Sequence, residues 1–160
     1  MTNLINELTE KIEKWATDRD LHTADPHKQM LKLIEEFGEI ASGLARGDAA
    51  EVKDGIGDLK VVATILKEQL RKDNHVCIDK QNAVMLCLMI DIGKLAGHIL
   101  FTKTPNKAFA CIDSIEEGLV VLAEESGTDI EECTAIAWDE IKDRKGKMVN
   151  GVFVKEADLN

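Results

Sequence analysis

The chain has 160 residues, 44% of them hydrophobic, 31% charged and only 4% aromatic, with a net charge of -10. That length and balance suit one soluble globular domain with a sizeable core, not a disordered segment. The acidity and the absence of Tyr exclude a dedicated nucleic-acid binder, which needs a basic face and stacking platforms.

In chain order, the opening Met-Thr-Asn-Leu-Ile-Asn-Glu-Leu lacks a basic leader and a continuous apolar core, so it does not read as a signal peptide. A first helix is expected from Leu4 to Asp18. Asp25-Pro26 reads as N-cap and first helical position of a second helix, Pro26 to Arg46. Met30, Ile34, Phe37, Ala41 and Leu44 form its apolar stripe at steps of three and four, with Lys32, Glu35, Glu36 and Glu39 on the other face. Gly47 suits the exit, and Asp48-Ala-Ala-Glu51 reads as a capping box for a third helix, Ala49 to Lys72. Its main stripe is Val52, Ile56, Leu59, Ala63, Leu66 and Leu70. Val61, Val62 and Ile65 add apolar surface on the other side, the pattern of a buried helix. Asp54 and Asp58 align with Val61 and Ile65, so Asp58 is expected to be semi-buried.

Three further helices are expected, Gln81 to Thr102, Pro105 to Glu125 behind a Thr104 cap, and Asp129 to Lys147. Gly127 and a capping box at Thr128-Asp-Ile-Glu131 introduce the last. Alternation of period two is weak, so the class is all-α, with a four-helix-bundle core and additional helices. One domain is expected over residues 1–148, followed by a tail over 149–160. The tail's Val-Phe-Val segment suits an extended strand with no sheet to join. The richest apolar run, Ala83 to Ile92, is interrupted by Asp91, so no membrane span and no membrane partner are expected. Cys77, Cys87, Cys111 and Cys133 show neither CxxC nor zinc spacing and point to a reducing cytoplasm. Trp15 and Trp138 suit core or interface packing. No Glu-x-x-His is present, which argues against a di-iron carboxylate bundle.

A faint repeat runs through the chain. Phe37-Gly-Glu-Ile-Ala-Ser-Gly-Leu44 aligns with Ile92-Gly-Lys-Leu-Ala-Gly-His-Ile99, and Asp54-Gly-Ile-Gly-Asp58 with Asp113-Ser-Ile-Glu-Glu117. The second copy keeps small and apolar positions but loses acids: Glu35 matches Ile90 and Glu39 matches Lys94. An acidic helix pair and its degenerate copy suit a four-helix bundle closed within one chain, with chance similarity between amphipathic helices as the plainer alternative.

The chemistry lies in the acids. Steps of three and four bring Glu35, Glu36 and Glu39 together on the second helix and Asp54 and Asp58 on the third. Carboxylates so gathered repel unless a cation sits among them, and hard Mg²⁺, with Mn²⁺ as a substitute, prefers oxygen ligands. Glu36, Glu39, Asp54 and Asp58 are the candidate metal ligands. Glu35 or Glu39 suits the catalytic task of orienting or deprotonating a water. Lys32 suits a phosphate contact or an ordinary i, i+4 pair with Glu36. Gln29 suits a base edge or plain exposure. Lys142, Arg144 and Lys145 suit triphosphate binding or simple complementarity to a helix dipole.

Gln29-x-x-Lys32-x-x-Glu35-Glu36-x-x-Glu39, followed by Gly57-Asp58-Leu and an apolar helix, resembles the MazG-like all-α nucleoside triphosphate pyrophosphohydrolases. Trp15-Ala-x-x-Arg19-x-Leu21 and Ile141-Lys-Asp-Arg-Lys-Gly-Lys-Met148-Val-Asn-Gly151 are also similar to that family, especially to its short bacteriophage-borne members. The middle, Cys77 to Gly127, matches that family less closely, and its degenerate repeat is similar to the arrangement in the related dimeric all-α dUTPases. The resemblance implies Mg²⁺-dependent cleavage of a nucleoside triphosphate to monophosphate and pyrophosphate, and assembly as a homodimer or tetramer. It maps the first acidic pair to Glu36 and Glu39 and the second motif's Asp to Asp58. The second motif's Glu falls on Gly55, so Asp54 takes the vacant role or the fourth ligand is lost. Two readings stand beside the enzyme: a nucleotide- and Mg²⁺-binding sensor, and an acidic helical interaction protein.

Overall fold

The computed structural model describes residues 2–71, 78–101, 105–149 and 151–156. Expectations that touch Lys72, Cys77, Thr102 and Thr104 lie outside those residues. The fold is all-α: α1 (Thr2–Thr17), α2 (Pro26–Arg46), α3 (Ala49–Arg71), α4 (Lys80–Phe101), α5 (Pro105–Glu125) and α6 (Ile130–Ile141). A 3-10 turn (Leu21–Thr23) precedes α2, and strands β1 (Gly146–Val149) and β2 (Val152–Lys155) follow α6. The contacts gather into two compact units, Met1–Cys77 and Ile78–Asn160. Each unit is built on a hairpin of neighbouring helices, α2 with α3 in the first and α4 with α5 in the second.

In the first unit, Asp25 caps α2 by accepting the His27 backbone N–H at 2.9 Å. Gly47, at φ 72°, closes the helix in the left-handed region that glycine tolerates. Asp48 Oδ1 then accepts the Ala50 and Glu51 N–H groups at 3.0 and 3.1 Å. The reciprocal arm of the expected capping box is absent, because Glu51 pairs with Arg46 instead.

The antiparallel α2–α3 contact corrects the expected orientation of both helices. Phe37, Leu44, Ile56 and Leu70 are 57%, 66%, 56% and 67% exposed. The contact face instead carries Glu36, Ile40 and Gly43 of α2, with Val52 and Gly55 of α3. A Cβ on Gly43 would stand 2.9 Å from Val52 Cγ2, and one on Gly55 2.9 Å from Ile40 Cγ1. The two glycines let the backbones approach closely, so that face is turned inward in preference to the bulkier stripes. Val62, Ile65 and Gln69 continue the buried side of α3. Asp54 and Asp58 are exposed, contrary to the semi-buried position expected for Asp58. Gln69 is 1% exposed and donates to the Leu21 carbonyl at 2.9 Å, which fixes the 3-10 turn to α3. Trp15 is 43% exposed, with the Arg19 guanidinium 4.6 Å above its ring.

In the second unit, α4 and α5 pair through Leu88, which fills the space beside Gly118, where a Cβ would come within 2.5 Å. Helix α4 is 22 residues long, and its most apolar 18-residue window has a mean hydropathy of 1.8. It is long and apolar enough to cross a bilayer by length and composition alone, a property that core helices share. Cys87 and Cys133 are exposed free thiols and Cys111 a buried one. Trp138 is 59% exposed.

Helix α6 ends at Ile141 rather than Lys147. Asp129, not Thr128, is its cap, accepting the Glu132 N–H at 2.8 Å, while Thr128 Oγ1 donates to the Glu132 carboxylate at 2.6 Å. The expected lone extended segment has a partner: β1 and β2 form an antiparallel hairpin in which Val149 faces Val152 and Gly146 faces Lys155. Gly146 admits no side chain, because a Cβ would lie 2.3 Å from the Val154 carbonyl oxygen and 2.5 Å from the Phe153 ring. The sequence Asn150-Gly151 between alternating apolar residues is a hairpin signal that the helical reading of 129–147 obscured.

Candidate functional site

The acidic residues of the first unit are positioned by the close α2–α3 contact. Because α2 turns its Glu36 face toward α3, Glu36 is 4% exposed. Its two oxygens have different surroundings. Oε1 accepts the Lys32 ammonium at 2.7 Å; Oε2 is buried and meets no partner among the described residues. Lys32 also reaches Glu35 Oε2 at 2.9 Å. These two bonds raise the Lys32 ammonium further above its ordinary value, that to Glu36 more than that to Glu35.

Glu39 is exposed yet its carboxyl is pushed up. The charge of Glu36 is the main cause, followed by desolvation, with Glu35 and Asp58 adding to it and Lys32 opposing. Glu35, Glu36 and Glu39 of α2 and Asp58 of α3 therefore share one negative field. Asp54 and Asp58 line an open groove of about 590 Å³ with Ala50, Glu51, Lys53 and Gly57. Gly55 does not line it; it faces α2, 3.7 Å from the Glu36 carbonyl oxygen as measured from a Cβ position.

The residues suit a hard cation by donor type. All are carboxylates, one buried oxygen lacks a partner, and the neighbouring carboxyl is held up by like charge. Among the described residues no three His, Cys, Asp or Glu side chains are gathered closely enough to hold a metal as they stand. Lys32 is the cation in contact with Glu36.

The other expected site residues have separate settings. Gln29 donates its amide to the Val62 carbonyl at 3.3 Å, a tie between α2 and α3. Lys142 pairs with Asp139 at 2.7 Å, Arg144 stands 4.0 Å from Glu140, and Lys145 is exposed. All three belong to the second unit.

The repeat leads to a feature that the search for acids passed over. Its alignment sets Asp91 opposite Glu36, Lys94 opposite Glu39 and Ser114 opposite Gly55. In the second hairpin Asp91 Oδ1 accepts Lys94 at 2.7 Å and Oδ2 accepts the Ser114 hydroxyl at 2.8 Å. The Lys94 and Ser114 bonds hold the Asp91 carboxyl below the usual range. The second hairpin satisfies both oxygens of its inward acid from within; the first leaves one open.

Over 73 residues the chain is 45% identical to the "Uncharacterized 18.2 kDa protein in rep-hol intergenic region" of Haemophilus phage HP1 (strain HP1c1). The match covers 45% of this chain and 42% of that phage protein, so it spans less than half of its relative's length. No family profile and no solved structure matches the chain.

Proposed function

We propose that the protein is a Mg²⁺-dependent nucleoside triphosphate pyrophosphohydrolase that works on small nucleotides in a cytoplasm, that of the host if the chain is phage-encoded. The observation that supports this most is Glu36: a buried carboxylate with one oxygen that has no partner among the described residues, beside Glu39 and in a field shared with Asp58. Glu36, Glu39 and Asp58 hold the metal, with Asp54 at the groove margin. When bound, Mg²⁺ neutralises the polyphosphate and lowers the pKa of a water. Glu35 is exposed and less enclosed than Glu36, so it orients that water and takes its proton. Lys142, Arg144 and Lys145 concentrate positive charge in an acidic chain and draw in the triphosphate.

The test is a screen of canonical and modified nucleoside triphosphates with Mg²⁺ that reports released pyrophosphate. Release that needs both metal and Glu36 supports the proposal; no release from any of them ends it. A second reading, a nucleotide and Mg²⁺ sensor without turnover, is favoured by Gly55, whose packing against α2 leaves no room for a carboxylate. Nucleotide binding that depends on Mg²⁺ but yields no product would select it. Binding of neither nucleotide nor metal would leave an acidic helical interaction protein. We further propose a homodimer, because Ile99, Leu100 and Phe101 of α4 are 71%, 72% and 84% exposed. A mass near 17.7 kDa by light scattering at micromolar concentration would reject it.

A further inference from the structure

We infer that Lys32 is a built-in counter-cation of the acidic site, and that a divalent metal binds there by exchange with its ammonium group. The inference rests on the metal site of the proposed function and adds how that site is kept and opened.

Three observations carry it. First, Lys32 spans Glu35 and Glu36 at 2.9 and 2.7 Å, so its charge already neutralises the only buried acid of the group. A buried carboxylate without a counter-charge is costly, and a lysine one turn away is the cheapest remedy the helix offers. Second, the neutralisation is incomplete, since Glu36 Oε2 is enclosed and has no partner among the described residues. Third, the second hairpin shows what a closed version looks like: Asp91 has Lys94 on one oxygen and Ser114 on the other. At the matching position of the first hairpin stands Gly55, which has no side chain to donate.

The lysine is suited to leave. Its side chain is 47% exposed while that of Glu36 is 5%. The ammonium can swing into water on its flexible stem, whereas the carboxylate stays where the α2–α3 contact puts it. A divalent ion offers Glu36 two charges in place of one and draws on Glu39 as well, whose carboxyl is already crowded by Glu36. Exchange thus relieves repulsion that the lysine only partly offsets.

The test is calorimetric titration of the full chain with Mn²⁺ and with Mg²⁺, comparing wild type with Lys32→Met and Lys28→Met. Lys28 lies one turn earlier on α2, is exposed, and its replacement changes the net charge equally. Exchange predicts that Lys32→Met binds metal about tenfold more tightly, the scale of one charge-assisted bond no longer broken. It predicts a change below about twofold for Lys28→Met, because an exposed charge at that distance is screened. Metal-free Lys32→Met should melt below wild type and gain more from metal. Lys32→Gln should give the same order if Lys32→Met does not fold. Equal affinity of wild type and Lys32→Met would overturn the exchange while leaving the metal site intact. So would equal tightening by Lys28→Met, which would reduce the effect to net charge. Binding by none of the proteins would remove the exchange and the metal site together.

Discussion

Gly55 stands against Ile40, with the space for its absent Cβ 2.9 Å from Ile40 Cγ1 and 3.4 Å from the Ile40 amide nitrogen. A glutamate at this position, as the resembled family would have it, meets the α2 backbone instead of the acidic groove. Gly55→Glu should therefore destabilise the first unit by at least about 2 kcal/mol through overpacking and a misplaced charge, without tightening metal binding. Gly57 is the contrast, since a Cβ there meets nothing within 4 Å. Gly57→Ala should stabilise by about 0.5–1 kcal/mol from helix propensity and reduced chain entropy. Urea denaturation of the two variants checks both signs.

Asp58→Asn and Glu36→Gln should each lower metal-dependent pyrophosphate release by about a hundredfold or more. They should part in stability. Asp58 is exposed and its charge adds to the push on the Glu39 carboxyl that comes mainly from Glu36, so Asp58→Asn should raise the metal-free Tm slightly. Glu36→Gln removes the ion pair with Lys32 and should lower it. Glu51→Gln, which touches Arg46 rather than the shared acidic field, should leave turnover nearly unchanged. Activity of Asp58→Asn with undiminished Mg²⁺ dependence would count against its role.

Asp91 sets a pH dependence for the second unit. Its carboxyl is held down by Lys94 and then Ser114, so the folded state binds its proton more weakly than the unfolded chain does. The stabilisation is present above the ordinary carboxylate range and is lost as pH falls through the depressed folded value. Wild type should melt higher than Asp91→Asn at about pH 7, and the gap should close in strong acid, near pH 2. Glu39 has the opposite sign: its raised carboxyl makes its charge a burden at neutral pH that protonation removes. Melting curves across that range distinguish the two groups.

Replacing Lys142 and Arg144 together with Ala should raise KM for the triphosphate by about tenfold or more, at the cost of charge-assisted phosphate bonds. The change in Tm should be small, because their partners Asp139 and Glu140 are exposed surface acids. An unchanged KM with a slightly lower Tm would make them ordinary charges at the end of α6.

Caps and exits were legible from composition alone: Asp25 before Pro26, Asp48 after Gly47, and the all-α class with its six helices. The rotation of the helices about their axes was not. Periodicity identifies an apolar stripe but does not say which neighbour will claim it. Phe37 and Leu44 look like core, yet the pair Gly43 and Gly55 decides the contact by allowing the closest approach. That choice buries Glu36 and exposes Asp58, so the acids could be named from their spacing while their surroundings could not. Gln69 was passed over because a buried amide looks like any other polar residue until its backbone partner, the Leu21 carbonyl, is known. The β1–β2 hairpin was missed because charged residues after Ile141 read equally well as a helix end.

Helices α2 and α3 are joined by Gly47 and Asp48 alone. Every acid of the proposed centre is therefore close in sequence to the others it must meet. Closing so short a connection costs little chain entropy, and contacts of small sequence separation form early and fast. The centre is thus assembled from one short stretch of chain that is made before α4, α5 and α6 and does not wait for them. A nascent chain carrying only the first unit would already present Glu36 and Lys32 to one another.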